Sequence, residues 1–77
     1  MPTVLRESGF NFKINTHDHA PMHVHVWHQG REVIVNFGGQ VAVRENYGLN
    51  RGELRRALSI VRQHQTFLQN CWREIHG

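Results

Sequence analysis

The stretch Met22-His23-Val24-His25-Val26-Trp27-His28-Gln29-Gly30-Arg31-Glu32-Val33-Ile34-Val35-Asn36-Phe37 decides the fold. On either side of Gln29-Gly30, apolar and polar residues alternate with the two-residue period of half-buried strands. A two-residue turn at Gln29-Gly30 sets Val26 against Val33 and Val24 against Val35 on one face. On the other face it sets His25 beside Ile34 and His23 beside Asn36. The apolar faces agree, and slipping the register by one residue would turn the valines to water.

Working outward toward the N-terminus, the segment from His17 to Pro21 breaks the alternation and reads as a loop, since Pro21 lacks an amide proton and biases Ala20 away from helix. Before it, Phe10, Phe12 and Ile14 alternate with Asn11, Lys13 and Asn15, and Ser8-Gly9 closes a hairpin with the strand Thr3 to Glu7. Toward the C-terminus, Gly38-Gly39-Gln40 fits a three-residue bulged loop that brings Val41 opposite Phe37 and Val43 opposite Val35. Four or five antiparallel strands are therefore expected within residues 3–45.

Beyond them the period changes. Asn50 and Glu53 form a capping box, with Leu49 and Leu54 as its hydrophobic staple, and apolar residues then recur at Leu54, Leu58, Val61, Leu68, Trp72 and Ile75. This predicts one long amphipathic helix over 51–76, roughly 39 Å long at about 1.5 Å per residue. Such a helix outruns a small sheet, so its end overhangs or meets another subunit. Ile60, Phe67 and Cys71 broaden its apolar sector, as burial between the sheet and a partner or in a homodimer would require, although a broad core face is the commoner origin. The expected fold is α+β: an antiparallel meander of four or five strands followed by one long C-terminal helix packed on one face, in a single domain spanning 1–77.

A chain of 77 residues buries only about 60% of its unfolded surface, so a metal, a dimer or a partner chain is a natural further support. The single cysteine, Cys71, excludes an intramolecular disulfide framework and any zinc site built on several thiolates. No apolar run is long enough for a membrane span, and no secretory signal pattern is seen, so a cytoplasmic protein is expected. Eight arginines against one lysine, with a net charge of +3, suit phosphate or carboxylate partners such as RNA, DNA or an acidic protein.

Five of the seven histidines lie between His17 and His28. His23 and His25, two apart on a strand, project from one face about 6.6 Å apart at the backbone, close enough to converge on one ion. His19 sits in the adjoining loop. Three histidines with an open fourth position suit a catalytic zinc or another divalent transition metal, with Asp18, Glu32 or Glu45 as a further ligand or as support behind one. The alternative without metal is acid–base cleavage of RNA, with His19, His23 and His25 as the catalytic group and an arginine stabilising the developing charge. Ordinary packing of strand histidines accounts for the same residues. His28 reads as a solvated strand end and His64 as a packed boundary residue.

Two named patterns are excluded. A cupin needs a glutamate four or five positions after its His-x-His in a much longer barrel, whereas Glu32 comes seven after His25. Histidine-triad hydrolases require a third histidine where this chain has Trp27.

For substrate binding, Arg51, Arg55 and Arg62, with Arg73, project onto one side of the helix as a basic stripe able to follow a phosphate backbone. A solvated face is the commoner origin of such a stripe. Trp27, an aromatic on the outer face, is either a base-stacking platform or a protein interface.

Several of these stretches together resemble a small bacterial and phage family catalogued as a domain of unknown function. They are Pro2-Thr3-Val4-Leu5, Gly9-Phe10-Asn11-Phe12, the central His19-Ala20-Pro21-Met22-His23-Val24-His25-Val26, Asn46-Tyr47-Gly48-Leu49 and the closing Trp72-Arg73-Glu74-Ile75-His76-Gly77. The central motif has the form H-x-P-x-H-V-H-V, and relatives commonly carry a second proline where Met22 stands. The resemblance implies a toxin-like or antitoxin-bound component with a small cognate protein partner, and the histidines and arginines make a protein acting on or bound to RNA the leading expectation. The resemblance also directs attention to His76, either as a fourth metal ligand beside His19, His23 and His25 or as a structural C-terminal cap. A non-enzymatic metal-binding or protein-interaction module is the competing function.

Overall fold

A computed structural model describes residues 3–77; Met1 and Pro2, the latter part of the opening motif, lie outside the described residues. Five strands, β1 (Thr3–Glu7), β2 (Phe10–Lys13), β3 (His23–His28), β4 (Arg31–Asn36) and β5 (Ala42–Tyr47), pair antiparallel in chain order. The meander thus has five strands, and the last runs two residues past the expected limit of 45. Val24 faces Val35, Val26 faces Val33, His25 faces Ile34 and His23 faces Asn36, the register that the valine pattern requires. Both tight turns use the left-handed backbone at their two central residues, Ser8-Gly9 and Gln29-Gly30. This is the turn whose twist matches paired strands.

Phe10, Phe12, Ile14, Val24, Val26, Val33 and Val35 are wholly buried on the face covered by the helices. The opposite face carries His25, Trp27, Glu32 and Ile34, all partly exposed. Strand alternation therefore separates core from candidate site with no further device.

The capping box forms at the start of α1 (Arg51–Gln63): the Glu53 amide donates to Asn50 Oδ1 at 2.8 Å and the Asn50 amide to Glu53 Oε1 at 3.0 Å. The single long helix expected over 51–76 is instead two, because the chain bends at His64 (φ −108, ψ 21) before α2 (Gln65–His76). The cause lies in the residues at the bend. Val61 and Leu68 are buried, but His64 and Gln65 between them are polar and cannot dock on a dry sheet face. They reach its rim instead: His64 Nε2 meets Glu7 Oε1 at 2.9 Å, and Gln65 Nε2 donates to the carbonyls of Phe37 and Gly39 at 2.8 and 2.6 Å. The molecule measures 34 Å along its longest axis, shorter than the roughly 39 Å that one unbroken helix would extend. Trp72 meets the end of the sheet, its ring 6.3 Å from Phe37 and 5.5 Å from His23.

Candidate metal centre

The alternation of β3 brings His23 and His25 to one face, with ring centroids 5.3 Å apart. The loop before β3 brings a third group, the carboxylate of Asp18. It is held by a tight turn in which the Asn15 amide donates to Asp18 Oδ2 at 3.0 Å and the Asp18 amide donates to the Asn15 carbonyl at 3.1 Å. Asp18 Oδ1 lies 3.5 Å from His23 Nε2 and 3.4 Å from His25 Nε2, while Oδ2 lies 3.3 Å from His25 Nε2. One ligand atom from each of the three residues falls within 4.8 Å of the other two.

Behind each ring stands an acceptor. His23 Nδ1 is 3.0 Å from the Pro21 carbonyl, and His25 Nδ1 is 2.8 Å from Glu32 Oε2. Carbonyl and carboxylate oxygens accept only, so both rings donate from Nδ1 and turn Nε2 toward Asp18. Arg44 Nη1 also lies 3.4 Å from His23 Nδ1, but the shorter Pro21 contact takes the proton, leaving donor against donor. Burial pushes the Asp18 carboxyl up, yet the Asn15 amide and the His25 and His23 rings outweigh it. The group therefore sits below its ordinary value and is anionic at neutral pH. The side chains of Asp18, His23 and His25 are only 13%, 8% and 16% exposed.

The expected ligand set changes accordingly. His19 is exposed and lines the cleft beside Asp18, but the carboxylate takes the place expected for it in the three-residue group. His76 is also outside that group. Its Nδ1 meets the Trp72 carbonyl at 2.9 Å and its Nε2 the Asn15 carbonyl at 3.1 Å, so it ties the end of α2 to the loop. Of the three carboxylates considered, Asp18 faces both rings, Glu32 backs His25, and Glu45 lies on the cleft wall.

Arg51, Arg55 and Arg62 are exposed along α1. Neither they nor Trp27 is among the residues that line the cleft, which are His17, Asp18, His19, Ala20, His23, Ile34, Arg44 and Glu45. Trp27 lies further along the outer face, with Lys13 Nζ 5.9 Å from its ring.

Nor is His28 a solvated strand end. It stacks on Phe10 at 4.3 Å and meets the Gly9 carbonyl at 2.9 Å. Burial, aided by Glu74, pushes the Cys71 thiol up, and its side chain packs against the core.

Arg44 is the cleft residue that the sequence reading missed. Its signal was present: with Val43 opposite Val35, uninterrupted alternation would bury Glu45 against Val33, a conflict that calls for a bulge.

No curated protein and no solved structure matches the chain. The family described as Domain of unknown function (DUF4160) matches residues 9–73, a span that holds Asp18, His23, His25, Glu32 and Arg44. The chain belongs to that family.

Proposed function

We propose that the domain binds a divalent transition metal, zinc by the character of its donors, through Asp18 Oδ1 and the Nε2 atoms of His23 and His25. The carrying observation is the shared vertex at Asp18 Oδ1, 3.5 and 3.4 Å from the two nitrogens. A direct hydrogen bond between imidazole and carboxylate closes to about 2.7–2.9 Å. Ligands on a tetrahedral ion at about 2.0–2.1 Å stand roughly 3.3–3.4 Å apart. The separations fit an ion between the groups better than a proton.

The tautomers support the same reading. With Nδ1–H committed to Pro21 and Glu32, Nε2 of each ring is left to face the Asp18 carboxylate, the orientation that ligation of one cation requires. Imidazole backed by a carboxylate or a carbonyl is the usual support of a histidine ligand. Asn36, the cross-strand neighbour of His23, adds a buried Oδ1 with no hydrogen-bond partner. Two imidazoles and one carboxylate leave a fourth position open, the pattern of a reactive rather than a purely structural zinc.

The test is elemental analysis and calorimetry on tag-free protein dialysed against zinc. One ion per chain is expected, abolished by Asp18→Asn and by His23→Gln with His25→Gln, and retained by His76→Gln. Absence of a stoichiometric ion in the wild-type protein overturns the reading. So does EDTA-resistant RNA cleavage that needs His23 and His25, which would assign these rings to metal-free acid–base chemistry.

A further inference from the structure

We infer that Arg44 is the anion clamp of this centre and that the ligand it admits carries a phosphoryl group. This rests on the metal reading above and goes beyond it in naming what the open position faces.

A bulge in β5 lies at Arg44. Ile34 pairs with Glu45 and Val35 with Val43, so Arg44 is skipped between them. Regular pairing would set Arg44 opposite Ile34 and turn Glu45 into the valine face; the bulge instead sends both Arg44 and Glu45 to the outer face. Bulges of this kind re-aim side chains beside functional sites. Arg44 Nη1 lies 3.4 Å from His23 Nδ1, one imidazole ring away from the proposed ion.

Among the described residues the Arg44 guanidinium has one close polar neighbour, His23 Nδ1 at 3.4 Å. The nearby His23 Nδ1 is itself a donor, committed to Pro21. Among the described residues Arg44 forms no ion pair, whereas Arg31 grips Glu53. Its neighbour Glu45 is occupied by the Tyr47 hydroxyl, which donates to Oε2 at 2.5 Å. Arg44 and His23 line one cleft of about 280 Å³ with Asp18 and His19. That cleft presents the solvent-exposed Arg44 guanidinium beside a site for a cation.

The geometry distinguishes among anions. A tetrahedral phosphoryl group has oxygens enough to give one to a metal and two to a guanidinium fork. A carboxylate has only two and cannot serve both without sharing. The phosphoryl group can belong to a free phosphate, a nucleotide or a nucleic-acid backbone.

Calorimetric titration of zinc-loaded protein with inorganic phosphate tests this, with acetate, adenosine 5′-monophosphate and a short single-stranded RNA as parallel arms. Phosphate should bind the wild-type protein, and Arg44→Gln should weaken it at least tenfold with one zinc per chain retained. Arg44→Lys should recover part of the loss, and Arg62→Gln, on the exposed side of α1, should change nothing. The RNA and nucleotide arms identify the source by which binds tighter than free phosphate. Acetate binding as tightly as phosphate, or phosphate binding indifferent to Arg44 with zinc in place, overturns the inference alone. Failure of the wild-type protein to hold zinc overturns the metal reading instead.

Discussion

Arg31 and Glu53 meet in a two-pronged pair, Nη1 to Oε1 and Nη2 to Oε2, each 2.7 Å long. Glu53 is also the third helical residue of the capping box, so one carboxylate closes the helix N-terminus and anchors the β3–β4 turn to it. Gly48 makes room for this: a Cβ there would stand 3.3 Å from Arg31 Cγ, and its φ of +108 disfavours other residues. Arg31 further donates to the Gly48 carbonyl at 3.0 Å.

This pair makes stability depend on acid. The Arg31 guanidinium, together with the Asn50 amide, lowers the Glu53 carboxyl from 4.5 to about 2. A group held lower in the folded chain than in the unfolded one stabilises fully above its unfolded value and ceases to do so as pH falls through its folded value. The urea midpoint should therefore decline as pH falls from about 4.5 toward 2. Glu53→Gln should lower the midpoint at pH 7 and flatten this decline, as followed by circular dichroism. An acid limb as steep in the variant as in the wild type would count against the assignment.

Metal should stabilise the fold if the centre is as proposed. At a free zinc concentration of about 100 Kd the gain is about 2.7 kcal/mol, or roughly 10–20 °C in Tm for a domain of this size. Differential scanning fluorimetry should show the rise in wild-type protein and its loss in Asp18→Asn.

Glu32 contributes through His25 rather than by direct ligation, since its Oε2 meets Nδ1 at 2.8 Å. Glu32→Gln should keep the fold and the one-to-one stoichiometry while weakening zinc by roughly 10–100-fold. Unchanged affinity in a competitive chelator titration would show that the contact only orders the surface.

Two phenylalanines should differ sharply. Phe12 is wholly buried opposite Val26, whereas Phe67 is 47% exposed on α2. Phe12→Ala should cost about 3–5 kcal/mol, a large part of the 5–15 kcal/mol typical of a whole domain, roughly. Phe67→Ala should stay within about 0.5 kcal/mol. Chemical denaturation of both variants provides the comparison.

The β3–β4 hairpin was legible in the sequence to the residue, because four valines and a Gln-Gly turn admit one register. The helix start was legible for a similar reason, as Asn50 and Glu53 satisfy each other locally. The bend at His64 was not: Val61 and Leu68 are two turns apart, a spacing that an unbroken helix shows equally well. Only the partners of His64 and Gln65, far away in sequence, reveal it. The histidine pair was legible from alternation, but Asp18, Glu32 and Glu45 differ only in where the folded chain carries them. In β5 one extra residue moves Glu45, and not Arg44, to the outer face, so alternation alone put Arg44 beside Ile34 but gave no sign that it reaches His23.

Strand order that copies chain order has a kinetic consequence. Every sheet pairing joins neighbours along the chain, with the longest connection running only from Ile14 to Met22, so the loops to be closed are short. The ties from His64 to Glu7 and from His76 to Asn15 instead span 57 and 61 residues. The meander is thus expected to organise early and the helices to dock on it late. Destabilising substitutions in α2 should then accelerate unfolding while leaving the refolding rate almost unchanged.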